Sequence, residues 1–408
     1  MERLTNESSL KKFQIYKGYK MDSEFSLLVK KYGSPLYIFD AQKAIKRVQE
    51  IKKELGCNVK LCYAIKANAF LLKALKDEDI LFEVCSPGEL SICQKYKVAP
   101  KKIVFSGVCK TEDDIRRAYK TGVNTITLES KAHLEYLLSV VDTEEYRSQD
   151  VIIRLTSGNQ FGMSQSDIYE CIEKLKDYSN IKIRGIHFFT GTQKKITKIS
   201  EEITFIESFC TELQKKTGIF FDSIEYGPGL GYDYFSNSEE ILNFENLKEF
   251  SALIENSKYN YVIELGRFIA SPCGKYCTQI MDIKTDEETN NKYIIIDGGI
   301  NHINYYGQIM GMKTPKVEHI AQTQLNDTDI ENYTIAGSLC TTADIVIRKL
   351  PLLSPAVGDT LVFNDIGAYS VTEGIYLFLS HPLPAIVLKN NDSYELLRST
   401  IETFNFNS

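Results

Sequence analysis

Tryptophan is absent from this chain of 408 residues, which by itself excludes nothing. Other shortages say more. No apolar run approaches the roughly 20 residues that span a bilayer. From Met1 to Lys12 the chain is polar and charged, with no hydrophobic stretch behind a basic start, so no signal peptide is expected. Ten cysteines are scattered singly, the closest pairs being Cys57/Cys62 and Cys273/Cys277, and the five histidines lie far apart. Neither pair is a CxxC, so a zinc site, and a metal site in general, is not expected. Reduced thiols in a cytoplasmic protein are the plain reading. Clustered positive charge is also missing: 48 Lys and Arg face 54 Asp and Glu, for a net charge of −6. That argues against a nucleic acid or an anionic membrane as partner.

What is present is a composition of 43% hydrophobic, 25% charged and 11% aromatic residues, that of a folded, soluble chain rather than a disordered or collagenous one. The length suits two or three domains, or one barrel with a companion. Short β-rich runs alternate with stretches of helical period, the mark of βα units around a parallel sheet. After an opening strand at Leu36–Phe39, Asp40 caps a helix running to about Leu55. Eight strand candidates follow: Lys60–Ala64, Leu81–Cys85, Ile103–Ser106, Thr125–Leu128, Val151–Leu155, Lys182–Phe189, Ser223–Tyr226 and Tyr261–Leu265. Thr111 and Asp114 form a capping-box-like helix start. These repeats predict an α/β fold, a (β/α)8 TIM barrel over 35–275. Beyond it, short strands at Tyr293–Ile296, Tyr333–Ile335, Thr360–Phe363 and Ala385–Leu388 predict an all-β domain over 276–408, which residues 1–34 are expected to join. The polar stretch Thr285–Asn291 reads as a hairpin loop.

Functional residues of such a barrel lie at the C-terminal ends of its strands, and unusual residues cluster there. Lys66 follows the first barrel strand in YAIKAN, Glu83 and Ser86 end the second, and Arg154 ends the fifth. His187 lies near the end of the sixth, before the turn Thr190–Gly191–Thr192. The turn Gly227–Gly231 (GPGLG) follows the seventh, and Glu264–Arg267 (ELGR) closes the eighth. A glycine turn presenting backbone N–H groups, followed by an arginine, suits a phosphate.

With these motifs in order, the chain resembles the fold-type III PLP-dependent decarboxylases, typified by diaminopimelate, ornithine and arginine decarboxylases. The resemblance runs from Pro35 to about Leu388 and includes FEVCSPGEL, IVFSGVCKT, GTQ at Gly191–Gln193, GSLC at Gly337–Cys340 and GAYS at Gly367–Ser370. It implies an alanine-racemase-like barrel, pyridoxal 5'-phosphate as cofactor, and a homodimer with shared active sites. Lys66 is then the lysine that carries the cofactor as a Schiff base; a lysine partly buried among other cations would have the lowered pKa this needs. Glu264 faces the pyridine nitrogen and keeps it protonated, and Glu83 packs near Lys66. The phosphate rests on Gly229, Leu230, Gly231 and neighbours, with Thr192, Gly266, Arg267 and Tyr369; His187 lines the cofactor. Cys340 is the residue that reprotonates the product carbon. Alanine racemases place an arginine where this chain has Glu264, so decarboxylation is favoured over racemisation.

Three departures bear on the substrate. Phe189 stands where the family stacks a histidine on the cofactor ring. Thr341 replaces the acid that follows the interface cysteine and recognises a distal amine. Asn304-Tyr305-Tyr306-Gly307-Gln308 lacks the arginine or second aspartate of the diamino-acid enzymes. A buried ammonium needs a carboxylate partner, so a free diamino acid fits poorly, although Asp344 is close in sequence. Thr341, Asp344, Tyr305 and Tyr306 are therefore the candidate substrate contacts. The HFFTGTQ turn is similar to that of decarboxylases from antibiotic and siderophore pathways, including the butirosin-pathway type that acts on a glutamyl group on an acyl-carrier protein. The expected activity is decarboxylation of an amino acid conjugate, carrier-linked or otherwise derivatised at its far end. The alternatives are a diaminopimelate decarboxylase of lysine biosynthesis, a racemase, and a non-catalytic homologue that binds a protein partner.

Overall fold

The computed structural model describes residues 23–221, 223–236, 241–322 and 330–408; the expectation for residues 1–22 lies outside them. The chain divides into two compact units. One comprises Ala44–Tyr232 and Glu240–Ile269; the other comprises the described residues up to Lys43, Asp233–Glu239 and Ala270–Ser408.

The opening strand β1 (Leu36–Asp40) belongs to the second unit, where it runs antiparallel to a strand beginning at Gly274 and parallel to one beginning at Ala385. The barrel therefore does not start at residue 35. Leu36 to Phe39 are all buried, and a continuous apolar run is equally at home in a barrel or a central sheet strand. Only its pairing partners decide.

The eight barrel strands are those expected from periodicity: β2 (Lys60–Ala64), β3 (Leu81–Val84), β4 (Ile103–Phe105), β5 (Thr125–Leu128), β6 (Gln149–Arg154), β7 (Ile181–Phe189), β8 (Ser223–Gly227) and β9 (Asn260–Leu265). All pairs are parallel, and β9 closes on β2. Serines cap the helices that leave the C-terminal strand ends: Ser86, Ser130 and Ser164 each accept an N–H three residues on. Thr111 and Asp114 form a full capping box, and Asp40 Oδ1 accepts the Lys43 N–H at 2.8 Å. Such caps supply partners for first-turn amides that would otherwise lack them.

The second unit adds β10 (Gly274–Thr285), β11 (Lys292–Ile296), β12 (Val317–Ile320), β13 (Ile330–Ala336), β14 (Ile345–Leu353), β15 (Thr360–Asn364), β16 (Ala385–Asn390) and β17 (Ser393–Arg398). The sheet order is β14-β13-β11-β10-β1-β16-β17, with β15 joining β10 to β12. The β10–β11 hairpin encloses the polar loop expected at Thr285–Asn291. Sequence periodicity missed β10, β12, β14 and β17. Of these, β14 and β17 form the two ends of that order and carry Arg348, Lys349, Glu395 and Arg398, charges that protect an edge but blur alternation. The helix Glu24–Tyr32 buries Leu28 and Val29 against Leu36, Ile38 and Cys277.

Between β6 and β7 the register slips by one residue at Gly185, where a Cβ would lie 1.8 Å from the Ser223 carbonyl oxygen. Gly185→Ala is therefore expected to cost about 1–3 kcal/mol through forced displacement of β7 from β8. A lowered thermal unfolding midpoint would register it; an unchanged midpoint would show that the barrel absorbs the methyl group.

Candidate active site

Lys66 sits in the 3-10 turn Ile65–Ala67 directly after β2. Its Nζ donates to Glu83 Oε2 at 2.9 Å and lies 3.6 Å from Cys85 Sγ, both at the end of β3. The lysine side chain keeps 40% of its surface exposed, while that of Glu83 keeps 5%. Phe189, at the end of β7, places its ring centroid 5.9 Å from Nζ. Lys66 is thus surrounded by acids rather than by the cations expected from sequence. Burial alone would lower its pKa, but Glu83, Cys85 and Glu264 together raise it well above that of a free lysine.

Deeper in the barrel stand His187 on β7, Glu225 on β8 and Glu264 on β9, all buried. His187 and Glu225 are direct neighbours in the β7–β8 pairing, and Glu264 lies opposite Cys62 of β2. One ligand-type atom from each of the three falls within 4.8 Å of the others. His187 Nε2 is 3.2 Å from Glu264 Oε1, though not aligned for a hydrogen bond. Burial tends to raise the Glu264 pKa, yet the neighbouring His187, with Glu225 and Lys66, brings it below the usual carboxylate range. Burial and the neighbouring Glu264 push Glu225 the other way, well above that range.

Two turns at the same rim are stapled together. The Lys194 N–H donates to the Gly229 carbonyl at 2.9 Å. Gln193 grips Tyr232 through both ends of its amide: Nε2 donates to the carbonyl at 2.9 Å, and Oε1 accepts the N–H. Gly229 takes φ +60°, and a Cβ there would meet the Gly191 carbonyl oxygen at 2.1 Å, so only glycine serves. Behind them, Lys194 Nζ contacts Glu202 at 2.5 Å, and Tyr226 donates to the same carboxylate at 2.7 Å. Thr192, Leu230 and Gly231 lie in these turns, and Gly266 and buried Arg267 follow β9. Arg154 is held by Glu129, donating to both carboxylate oxygens at 3.0 and 2.9 Å.

In the β-unit, Cys340 and Thr341 are exposed, and Tyr369 holds a left-handed backbone with φ +66°. Two expected substrate contacts do not stand free. Asp344 is 2% exposed, and its oxygens accept the N–H groups of Ile300 at 2.9 Å and Leu339 at 2.8 Å. Tyr305 is 3% exposed and donates to the Asn364 carbonyl at 2.6 Å. Both are buried within the framework of their loops rather than exposed to a substrate. Tyr306 is 45% exposed. Sequence reasoning missed Glu225 and Cys85. Strand alternation through Ser223, Glu225 and Gly227, which points glutamate inward, was the available signal for the first.

Comparison with known proteins accords with this arrangement. A family profile, "Pyridoxal-dependent decarboxylase, pyridoxal binding domain", matches residues 41–271. An L-glutamyl-(BtrI acyl-carrier protein) decarboxylase of Niallia circulans is 25% identical over 402 residues, 92% of this chain and 93% of its own. A Staphylococcus aureus decarboxylase named for 2-((L-alanin-3-ylcarbamoyl)methyl)-2-hydroxybutanedioate is 27% identical over 382 residues, 86% of this chain and 93% of its own. A crystal structure of diaminopimelate decarboxylase from Helicobacter pylori with L-lysine has the same fold, with a TM-score of 0.80 and 21% identity, covering 94% of this chain and 98% of that one. Among the described residues no helix is long and apolar enough to cross a membrane. Since the profile spans more than half of the sequence, the chain belongs to the pyridoxal-dependent decarboxylases, carboxy-lyases whose cofactor is pyridoxal phosphate.

Proposed function

We propose that this enzyme decarboxylates an amino acid whose far end is already conjugated, through a thioester to a carrier protein or through an amide. The observation that carries this reading is the missing distal acid. Thr341 stands after Cys340 where the diamino-acid enzymes have a carboxylate, and nearby Asp344 is committed to the Ile300 and Leu339 amides. Without a carboxylate partner, a substrate ammonium would be desolvated at a cost of several kcal/mol. A thioester or amide brings no such charge. Two of the relatives above are named for substrates of this kind.

The barrel residues fit pyridoxal phosphate. Glu264 Oε1 and both His187 ring nitrogens are buried without a hydrogen-bond partner, a costly arrangement unless a polar ligand completes it. Glu264 is the carboxylate for the ring nitrogen, Phe189 the aromatic face beside the ring, and the Gly229–Gly231 turn with Arg267 the seat for the phosphate. Bound there, the cofactor supplies the electron sink for the pair left behind by carbon dioxide. The chain manages the protons. Lys66 must become neutral before it can act as a nucleophile, and Glu83 Oε2, 2.9 Å from Nζ, is the atom that can hold the released proton. The exposed Cys340 thiol is the donor that returns a proton to the product carbon. The enzyme works as a homodimer.

Two outcomes are expected. In a panel assayed for carbon dioxide release, thioester or amide conjugates should turn over at least about tenfold more efficiently than free diaminopimelate, ornithine or lysine, the worth of one unfavourable contact of about 1.4 kcal/mol. Efficient turnover of a free diamino acid, with conjugates ignored, would instead make this an ordinary diamino-acid decarboxylase. Glu83→Gln should lower the Lys66 pKa, because burial then acts with less opposition. The pH midpoint for adduct formation between apoprotein and pyridoxal should shift downward accordingly; an upward or absent shift would remove Glu83 from the proton-holding role.

A further inference from the structure

Glu225 is an ionisable residue at the heart of the barrel that the family motifs leave without a task. It is 3% exposed, and its neighbours His187 and Glu264 are 2% and 8% exposed. A carboxylate oxygen of Glu225 lies within 4.8 Å of one of Glu264 and of a His187 ring nitrogen, and neither Glu225 Oε1 nor Glu264 Oε1 has a hydrogen-bond partner. Two ionised carboxylates this close repel strongly away from water, so the buried pair retains one proton between them. The surroundings decide where it rests. Glu264 has the His187 ring at 3.2 Å and senses the Lys66 ammonium. The charged and titratable groups facing Glu225 and its partner are Cys62 and Lys66 from the β2 end, Glu83 on β3, His187 on β7 and Glu264 on β9. Among these, the ones acting on Glu225 are the two glutamates, which disfavour a further negative charge.

We propose that Glu225 is a positioning residue: as a neutral acid it donates its proton to Glu264, keeps that carboxylate ionised, and leaves Glu264 Oε1 free for the cofactor. This rests on the pyridoxal phosphate reading of the site. Glu225 need not touch cofactor or substrate. It would be the counterpart, inside a barrel, of a carboxylic acid retained in its neutral form so that it can donate a hydrogen bond. A glutamine has a donor at nearly the same place, whereas a leucine has none, and the pair of substitutions separates donation from packing.

The test uses the full chain and three readouts. In the infrared difference spectrum between wild type and Glu225→Gln at neutral pH, the C=O stretch of one neutral carboxylic acid should be lost; no such band in the wild type would overturn the proposal, whether or not cofactor is bound. In the holoenzyme, Glu225→Gln should keep the wild-type absorbance of the bound cofactor and its pH dependence, with pyridoxal phosphate affinity within about threefold. Glu225→Leu should displace that pH dependence and weaken the affinity by about ten- to a hundredfold, the range for one hydrogen bond to a charged group. Equal effects of Gln and Leu, or none from Leu, would overturn the proposal. If Glu225→Leu does not fold, as a thermal scan would reveal, the infrared band and the Gln variant still decide. About one equivalent of divalent metal in the purified protein, removable by a chelator, would assign the triad to a cation and overturn it as well. A wild-type protein that takes up no pyridoxal phosphate, yet keeps the neutral-acid band, would fail the cofactor reading and with it the positioning role.

Discussion

Several charges placed inside one barrel mouth must compensate each other, and most of this site follows from how they do it. Lys66, Glu83, His187, Glu225 and Glu264 project toward the same space from β2, β3, β7, β8 and β9. An unpaired charge there would be costly, so each is set by its neighbours: Lys66 against Glu83 at 2.9 Å, and Glu264 between His187 and Glu225. Glu225 Oε1, Glu264 Oε1 and both His187 ring nitrogens are buried without hydrogen-bond partners, which is why the proposed ligand is placed beside them.

The same constraint explains the stapled turns at the rim. As the proposed seat for a phosphate, these turns need a backbone that stays put. Gln193 and Lys194 lock the Gly191 turn to the Gly229 turn, and the Lys194–Glu202–Tyr226 cluster anchors both from behind. The charged pair in that cluster is buried with its hydrogen bonds satisfied, a condition for such a pair to be tolerated. The exposed Cys340–Thr341 loop is likewise held from inside, by Asp344 on the Leu339 and Ile300 amides.

How much of this was legible in the sequence differs by residue. The eight barrel strands could be read because each is a short apolar run between helical stretches, and Ser86, Thr111, Ser130 and Ser164 mark the starts of four of those helices. Strand β1 could be seen but not placed, because an apolar strand buried on both faces carries no label for its sheet. Lys66 and Glu264 were singled out from their motifs and rim positions, and the structure puts Lys66 directly after β2 and Glu264 on β9. The sign of the Lys66 shift was misread, since motif spacing does not tell which charges lie within 4 Å. Asp344 was taken for a substrate contact on proximity in sequence, and the fold spends both of its oxygens on amides.

The order of apolar runs, helix caps and glycine turns determined by itself that a (β/α)8 barrel precedes an all-β region, because these signals are local and survive without knowledge of partners. The motifs also determined the chemistry class, since the lysine, the glutamate and the glycine turn each have a recognisable sequence setting. Tertiary structure alone decided that Glu225 meets Glu264, that Lys66 rests on an acid, and that Asp344 is occupied. Protonation, pairing and availability depend on what lies across a barrel or a loop. Those neighbours come from strands tens or hundreds of residues away, and linear sequence holds no distance between them.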